Sequence, residues 1–293
     1  MARSFLFFVL LWTLALLFLG SHVHATGASL ACPDWPTCFG TMMPEMTGGV
    51  FWEHLHRLWA GALVIFFTIG VILIRRAYPE GAVLFRLGLA GIGLLLVQSV
   101  LGGITVLFLL PDAVSTSHLA LAFVFLALLT SMLALTRRDR DDYRGRDAER
   151  RLVRRAGLRV SGLVFAQSVV GALVRHTDAG MACPDVPLCL GRIVPPLDNP
   201  MVQLHFLHRV LGLATAVVAL RYCRLVLART RIGFARKIAI ALGAGVVAQV
   251  LLGFVSVAVR LEPPYVSLHT LLAAVLLSLS VAGAAHAWER TAH

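Results

Sequence analysis

The residues best suited to chemistry in this chain are four histidines set in apolar surroundings. His56 and His208 stand near one end of two long hydrophobic segments, and His118 and His269 near the ends of two others. A buried imidazole is costly unless it is hydrogen-bonded or ligates something. For a single such residue an interhelical hydrogen bond is an equal reading. Four of them at repeat-related positions point instead to axial ligands of haem iron, His56 pairing with His118 and His208 with His269. A bundle of membrane helices supplies the long apolar slot that haem needs. Zinc suits the pattern less, because neither pair is joined by clustered carboxylates or thiolates.

Polar neighbours add further chemistry. Arg57 and Arg209 directly follow His56 and His208. Their planar forks could hold haem propionates, with snorkelling toward an interface as the equally weighted alternative. Glu53 lies one helical turn before His56 on the same face, and its counterpart in the repeat is His205. Beside a bound haem a carboxylate there could relay protons or stabilise developing positive charge. Its plainer role is to hydrogen-bond an imidazole or Arg57. His22, His24, His176 and His205 read as hydrogen-bonded interface residues, not primary ligands. Cys32 and Cys38 share one loop, and Cys183 and Cys189 share another. Two short intraloop disulfides are the favoured reading, and a redox-active pair is the alternative. Cys223 reads as an inert small hydrophobe.

An internal repeat positions these groups. The segment Ala31-Cys32-Pro33-Asp34-Trp35-Pro36-Thr37-Cys38-Phe39-Gly40 returns 151 residues later, from 31 to 182, as Ala182-Cys183-Pro184-Asp185-Val186-Pro187-Leu188-Cys189-Leu190-Gly191. Gln98, Gly102 and His118 match Gln249, Gly253 and His269 at the same offset, and His56-Arg57 matches His208-Arg209 at 152. The expected fold is an all-α polytopic membrane protein whose eight transmembrane helices form two tandem four-helix bundles. Four spans per copy is an even number, so both copies insert the same way round. A pseudo-twofold axis along the membrane normal then relates them. Residues 1–136 make the N-terminal bundle and 158–293 the C-terminal bundle. Residues 137–157 make a basic cytoplasmic connector, read as a solvated loop in reach of anionic headgroups.

Composition agrees. Of 293 residues, 58% are hydrophobic and only 14% charged, where a soluble domain would carry about 25% charged. Spans are expected at 5–24, 50–74, 82–109, 115–136, 158–177, 201–225, 238–260 and 266–287, each long enough for a tilted helix. The first is read as a span and not as a cleaved signal peptide, because the repeat makes it the counterpart of a mid-chain span. The net charge of +11 could point to nucleic acid. With both termini cytoplasmic, however, 21 of the 26 Lys and Arg fall on the inner side, so the charge is an orientation signal and nucleic acid is excluded. The cysteine loops then lie outside.

The combination of Glu53-His54-Leu55-His56-Arg57, Ser117-His118, Leu207-His208-Arg209, Leu268-His269 and the two CPDxPxC loops resembles the heme A synthase family over nearly the whole chain. The resemblance implies an enzyme of the cell inner membrane that oxidises the C8 methyl of haem O to the formyl group of haem A. It implies a haem b cofactor on the iron ligands His208 and His269, and substrate haem O on His56 and His118, with Glu53 needed for activity. It implicates the loop cysteines, Cys32-Cys38 and Cys183-Cys189, in disulfide formation and electron delivery. Its expected partners are an electron donor and the farnesyltransferase that makes haem O; self-association as a homo-oligomer is left open. The competing reading is a di-haem b-type cytochrome that only carries electrons, against which Glu53 stands in one copy alone. A transporter is a third reading, weakened because the intramembrane polar residues cluster at one end.

Overall fold

The computed structural model describes residues 1–137, 147–230 and 232–288. Its long elements are α1 (Ala2–Ala25), α2 (Gly48–Ala77), α3 (Ala82–Leu107), α4 (Asp112–Leu135), α5 (Asp147–His176), α6 (Pro200–Arg229), α7 (Phe234–Ala258) and α8 (Pro263–His286). All eight are long and apolar enough to cross a bilayer, and the chain is a multi-pass, all-helical membrane protein. Helices satisfy their own backbone groups, which lipid cannot do. Intrahelical hydroxyls follow the same logic: Thr13, Thr68, Ser131 and Ser256 each donate to a carbonyl four residues back.

Within the first half, α1 packs on α2, α2 on α3, α3 on α4 and α4 back on α1. The second half repeats this ring with α5, α6, α7 and α8. The halves meet where α1 packs on α8, α4 on α5, and α4 on α8. One apolar core runs through both, with Leu6, Phe67, Leu126 and Leu129 continuous with Val153, Leu242 and Leu277. Small residues permit the close approaches: a Cβ on Gly157 would lie 3.0 Å from Ala284 Cβ, between α5 and α8.

The repeat extends to backbone conformation. Left-handed residues occur at Phe39, Gly40, Leu109 and Leu110, and again at Leu190, Gly191, Arg260 and Leu261. Cis prolines fall at the matching positions Pro36 and Pro187.

One expectation is corrected. The connector at 137–157 is not a loop throughout, because α5 is helical from Asp147. Val153, Gly157 and Val160 are buried, and their spacing forms an apolar stripe that packs toward α8. Arg155, between them, and Arg151, just before them, are exposed on the opposite face. Residues 138–146 of the connector, with Asp139, Asp141 and Asp142, lie outside the described residues, as does Arg290.

Candidate functional site

Both C-x5-C loops are closed by disulfides, Cys32 to Cys38 and Cys183 to Cys189. Each loop sits on the start of the following long helix and is held there by an arginine. Arg57 Nη1 donates to the carbonyls of Asp34 and Thr37, and Nη2 to the Cys32 carbonyl and to Glu53 Oε1. Arg209 repeats the arrangement, donating to Asp185 (2.8 Å), Leu188 (2.7 Å) and Cys183. A planar fork reaches several carbonyls at once where a lysine could not. The terminal nitrogens of both arginines are turned to the loops. The left-handed loop tip is fastened by Asp34, whose carboxylate accepts from the Thr37 hydroxyl, Phe39 N (2.6 Å) and Gly40 N (2.8 Å). Those bonds, led by the Thr37 hydroxyl, hold the Asp34 carboxyl below its ordinary value of 3.8.

Glu53 belongs to this assembly and to a cavity beneath it. The side chain is buried, the residue being 4% exposed; Oε2 accepts from Cys32 N at 2.7 Å, while Oε1 pairs with Arg57. His205 takes the equivalent place in the second half, with Nδ1 3.4 Å from Cys183 N and 3.0 Å from the Ala179 carbonyl. His54 is buried against the first disulfide, and its Nε2 lies 3.0 Å from the Met42 carbonyl. Neither His54 nor His205 stands in the seat of His56 or His208.

The cavity has a volume of about 670 Å³ and is mostly apolar, with Leu17, Ala60, Leu63, Leu95, Leu119 and Phe125 in its walls. His56 and His118 both line it, with Glu53 and Gln98. Glycines on neighbouring helices make the seats of the four histidines. A Cβ on Gly20 would lie 2.8 Å from His56 Cε1, and one on Gly171 would lie 2.8 Å from His208 Cε1. The corresponding distances are 3.2 Å from Gly102 to His118 and 3.1 Å from Gly253 to His269. Each ring therefore lies flush on a neighbouring backbone, the close approach that glycine allows. The Gly102 and Gly253 match was read from the repeat; the Gly20 and Gly171 match sits at the same offset and was not.

The hydrogen bonding of these rings is incomplete. Nδ1 of His56, His118 and His269 is buried without a partner, and a buried imidazole nitrogen left unpaired is costly. Gln98 and Gln249 fix the helix backbone, donating to the carbonyls of His118 (2.9 Å) and His269 (3.1 Å), and Gln249 Nε2 also lies 3.3 Å from His269 Nε2. The first-half pair fits haem, two imidazoles in glycine seats within an apolar cavity, and the second-half pair has the same seats.

The halves differ at a few points. Gln167 donates to the His208 carbonyl at 2.9 Å and lies 3.0 Å from its Nδ1; the matching residue in the first half is Leu16, on the cavity wall. Trp35 roofs the cavity and lies against Gly103, where the second half has Val186 and Phe254. Large and small have changed places.

A family model described as cytochrome oxidase assembly protein, COX15-CtaA, matches residues 3–281. The chain is 36% identical over 209 residues to the heme A synthase of Symbiobacterium thermophilum, covering 68% of this chain and 66% of that protein. It is 30% identical to the heme A synthase of Halalkalibacterium halodurans, covering 69% of each. With that of Geobacillus kaustophilus it shares 31% identity, over 74% of this chain and 69% of the other. The matched part thus spans about two thirds of the length of these relatives.

Proposed function

Because the chain belongs to the cytochrome oxidase assembly protein family of that model, we propose that it is a haem A synthase, a membrane oxidoreductase that converts the C8 methyl group of haem O to the formyl group of haem A. The observation that carries this reading is the first-half cavity, which brings His56, His118 and Glu53 to one apolar space. His56 and His118 would hold the substrate haem there. His208 and His269 would hold a haem b cofactor in the second half, seated on Gly171 and Gly253. Bound haem iron supplies the oxidising chemistry, which side chains alone cannot.

The chain's own contribution is orientation and charge. The paired imidazoles fix the porphyrin, and the apolar walls exclude water from the reacting methyl. Haem O carries a long isoprenoid tail, so entry from lipid into an intramembrane cavity is the natural route. Glu53 borders the cavity with both oxygens anchored, one by Cys32 N and one by Arg57. A carboxylate so placed can take up a proton or stabilise positive charge developing at the porphyrin edge. Haem held by His208 and His269 would supply one-electron redox chemistry. The protein lies in the cell inner membrane with cytoplasmic termini and disulfide loops outside, the orientation favoured by its basic residues.

Glu53→Gln tests the reading. The amide keeps an acceptor for Cys32 N but cannot take up a proton. Chromatography of haems extracted from cells expressing the variant should show haem A down by roughly 100-fold or more, with haem O in its place. Haem A at the normal level would remove Glu53 from the chemistry and revive the electron-carrying reading.

A further inference from the structure

The first-half cavity has one wall that the first half does not supply. Arg175 and His176, in the last turn of α5, line it together with Thr270 of α8. Arg175 reaches across the junction between the halves and donates from Nη2 to the Ser21 carbonyl of α1 at 3.0 Å. Its Nη1 is buried with no hydrogen-bond partner. Among the described residues no carboxylate forms a salt bridge with it, the pair Arg57–Glu53 being the one observed. His176 beside it contacts Thr116 Oγ1 through Nδ1 at 3.0 Å and packs edge-on against His24 at 4.9 Å.

A guanidinium buried in a membrane protein without a counter-ion is expensive, and such a group marks a place where an anion belongs. The cavity's other arginine, Arg57, has its terminal nitrogens on loop carbonyls and Glu53. Resting on the reading of this cavity as a haem site, we infer that Arg175 binds a haem propionate carboxylate there. The site is then completed by a residue of the C-terminal half. Arg175 stands where His24 stands in the first copy, 151 residues earlier, so the repeat places a cation at one member of the pair only. Its guanidinium matches carboxylate geometry with two donors, and Ser21 holds it at the cavity edge.

The test uses the purified full-length protein in detergent, titrated with iron protoporphyrin IX and with its dimethyl ester, which has no carboxylates. Binding is followed by the Soret band, and the relevant phase is the one that His56→Ala removes. In the unaltered protein the diester should bind that phase on the order of 10- to 100-fold more weakly than the diacid. Arg175→Gln should bind both equally, and Arg175→Lys should recover part of the difference. An unchanged thermal transition and elution profile separates lost recognition from lost folding. If Arg175→Gln discriminates as the parent does, the proposal is wrong. The same holds if the parent does not discriminate, or if added phosphatidylglycerol competes with the diester as well as with the diacid, which would mark a headgroup site. If the parent shows no His56-dependent phase, the haem reading of the cavity falls, and this inference with it.

Discussion

At the scale of single residues, the seats of the histidines carry the sharpest consequences. A methyl group on Gly20 or Gly171 would meet an imidazole carbon at 2.8 Å. The ring, already packed, must tilt or the helices must part, at about 1–3 kcal/mol. Gly171→Ala should therefore lower the haem retained by the purified protein, whereas Gly162→Ala, on the same helix where a Cβ meets nothing within 4 Å, should leave it unchanged. Equal pigment in both would mean that the seat does not position His208. Asp34 gives a pH-dependent case. Its carboxyl titrates lower in the folded loop than its ordinary 3.8. Its contribution is therefore present above that ordinary value and is lost as pH falls through the lower folded one. Amide protection at Phe39 and Gly40 should decline only on acidification into that range. Asp34→Asn should weaken it already at neutral pH, and protection independent of residue 34 would refute the role.

At the scale of elements, each disulfide loop is fastened to its neighbouring long helix by one arginine. Hydrogen bonds from a charged donor contribute about 1.5–3 kcal/mol each where they are partly buried. Arg57→Met should thus free the first loop and leave the second intact. Dithiothreitol should then reduce Cys32–Cys38 at least ~10-fold faster, read by alkylation and peptide mass, with Cys183–Cys189 as the internal reference. An unchanged rate would show that the disulfide and Asp34 hold the loop without Arg57. The helices themselves were largely legible beforehand, because runs of apolar residues broken by Pro and basic clusters mark spans directly. The start of α5 was not: the dense arginines after residue 147 read as solvated loop. The stripe of Val153, Gly157 and Val160 beneath them carried the helical signal, and charge masked it.

At the scale of the whole molecule, the halves form one packed unit, joined through α1, α4, α5 and α8. Ser21 Oγ bonds to Thr270 Oγ1 across that junction at 3.1 Å, and Arg175 bonds to the Ser21 carbonyl. A protease site engineered between residues 137 and 147 should accordingly be cleavable without separating the fragments, which should co-elute in mild detergent with their haem. Separation on cleavage would mean that the covalent connector, not packing, holds the halves together.

What the sequence determined by itself is whatever depends on residue type and spacing along one chain: eight spans, a repeat, two cysteine loops, and the histidines placed in register by that repeat. Periodicity and offset report these directly, since each lies within one helix or one loop. Tertiary structure decided where the polar side chains point. Arg57 and Arg209 follow histidines on a helix, yet they fold back onto loops about twenty residues earlier, because those loops present several carbonyls that need donors. Arg175 lies more than a hundred residues from His56 and reaches the same cavity. No pattern along the chain could join them, because helix packing between the halves brings them together.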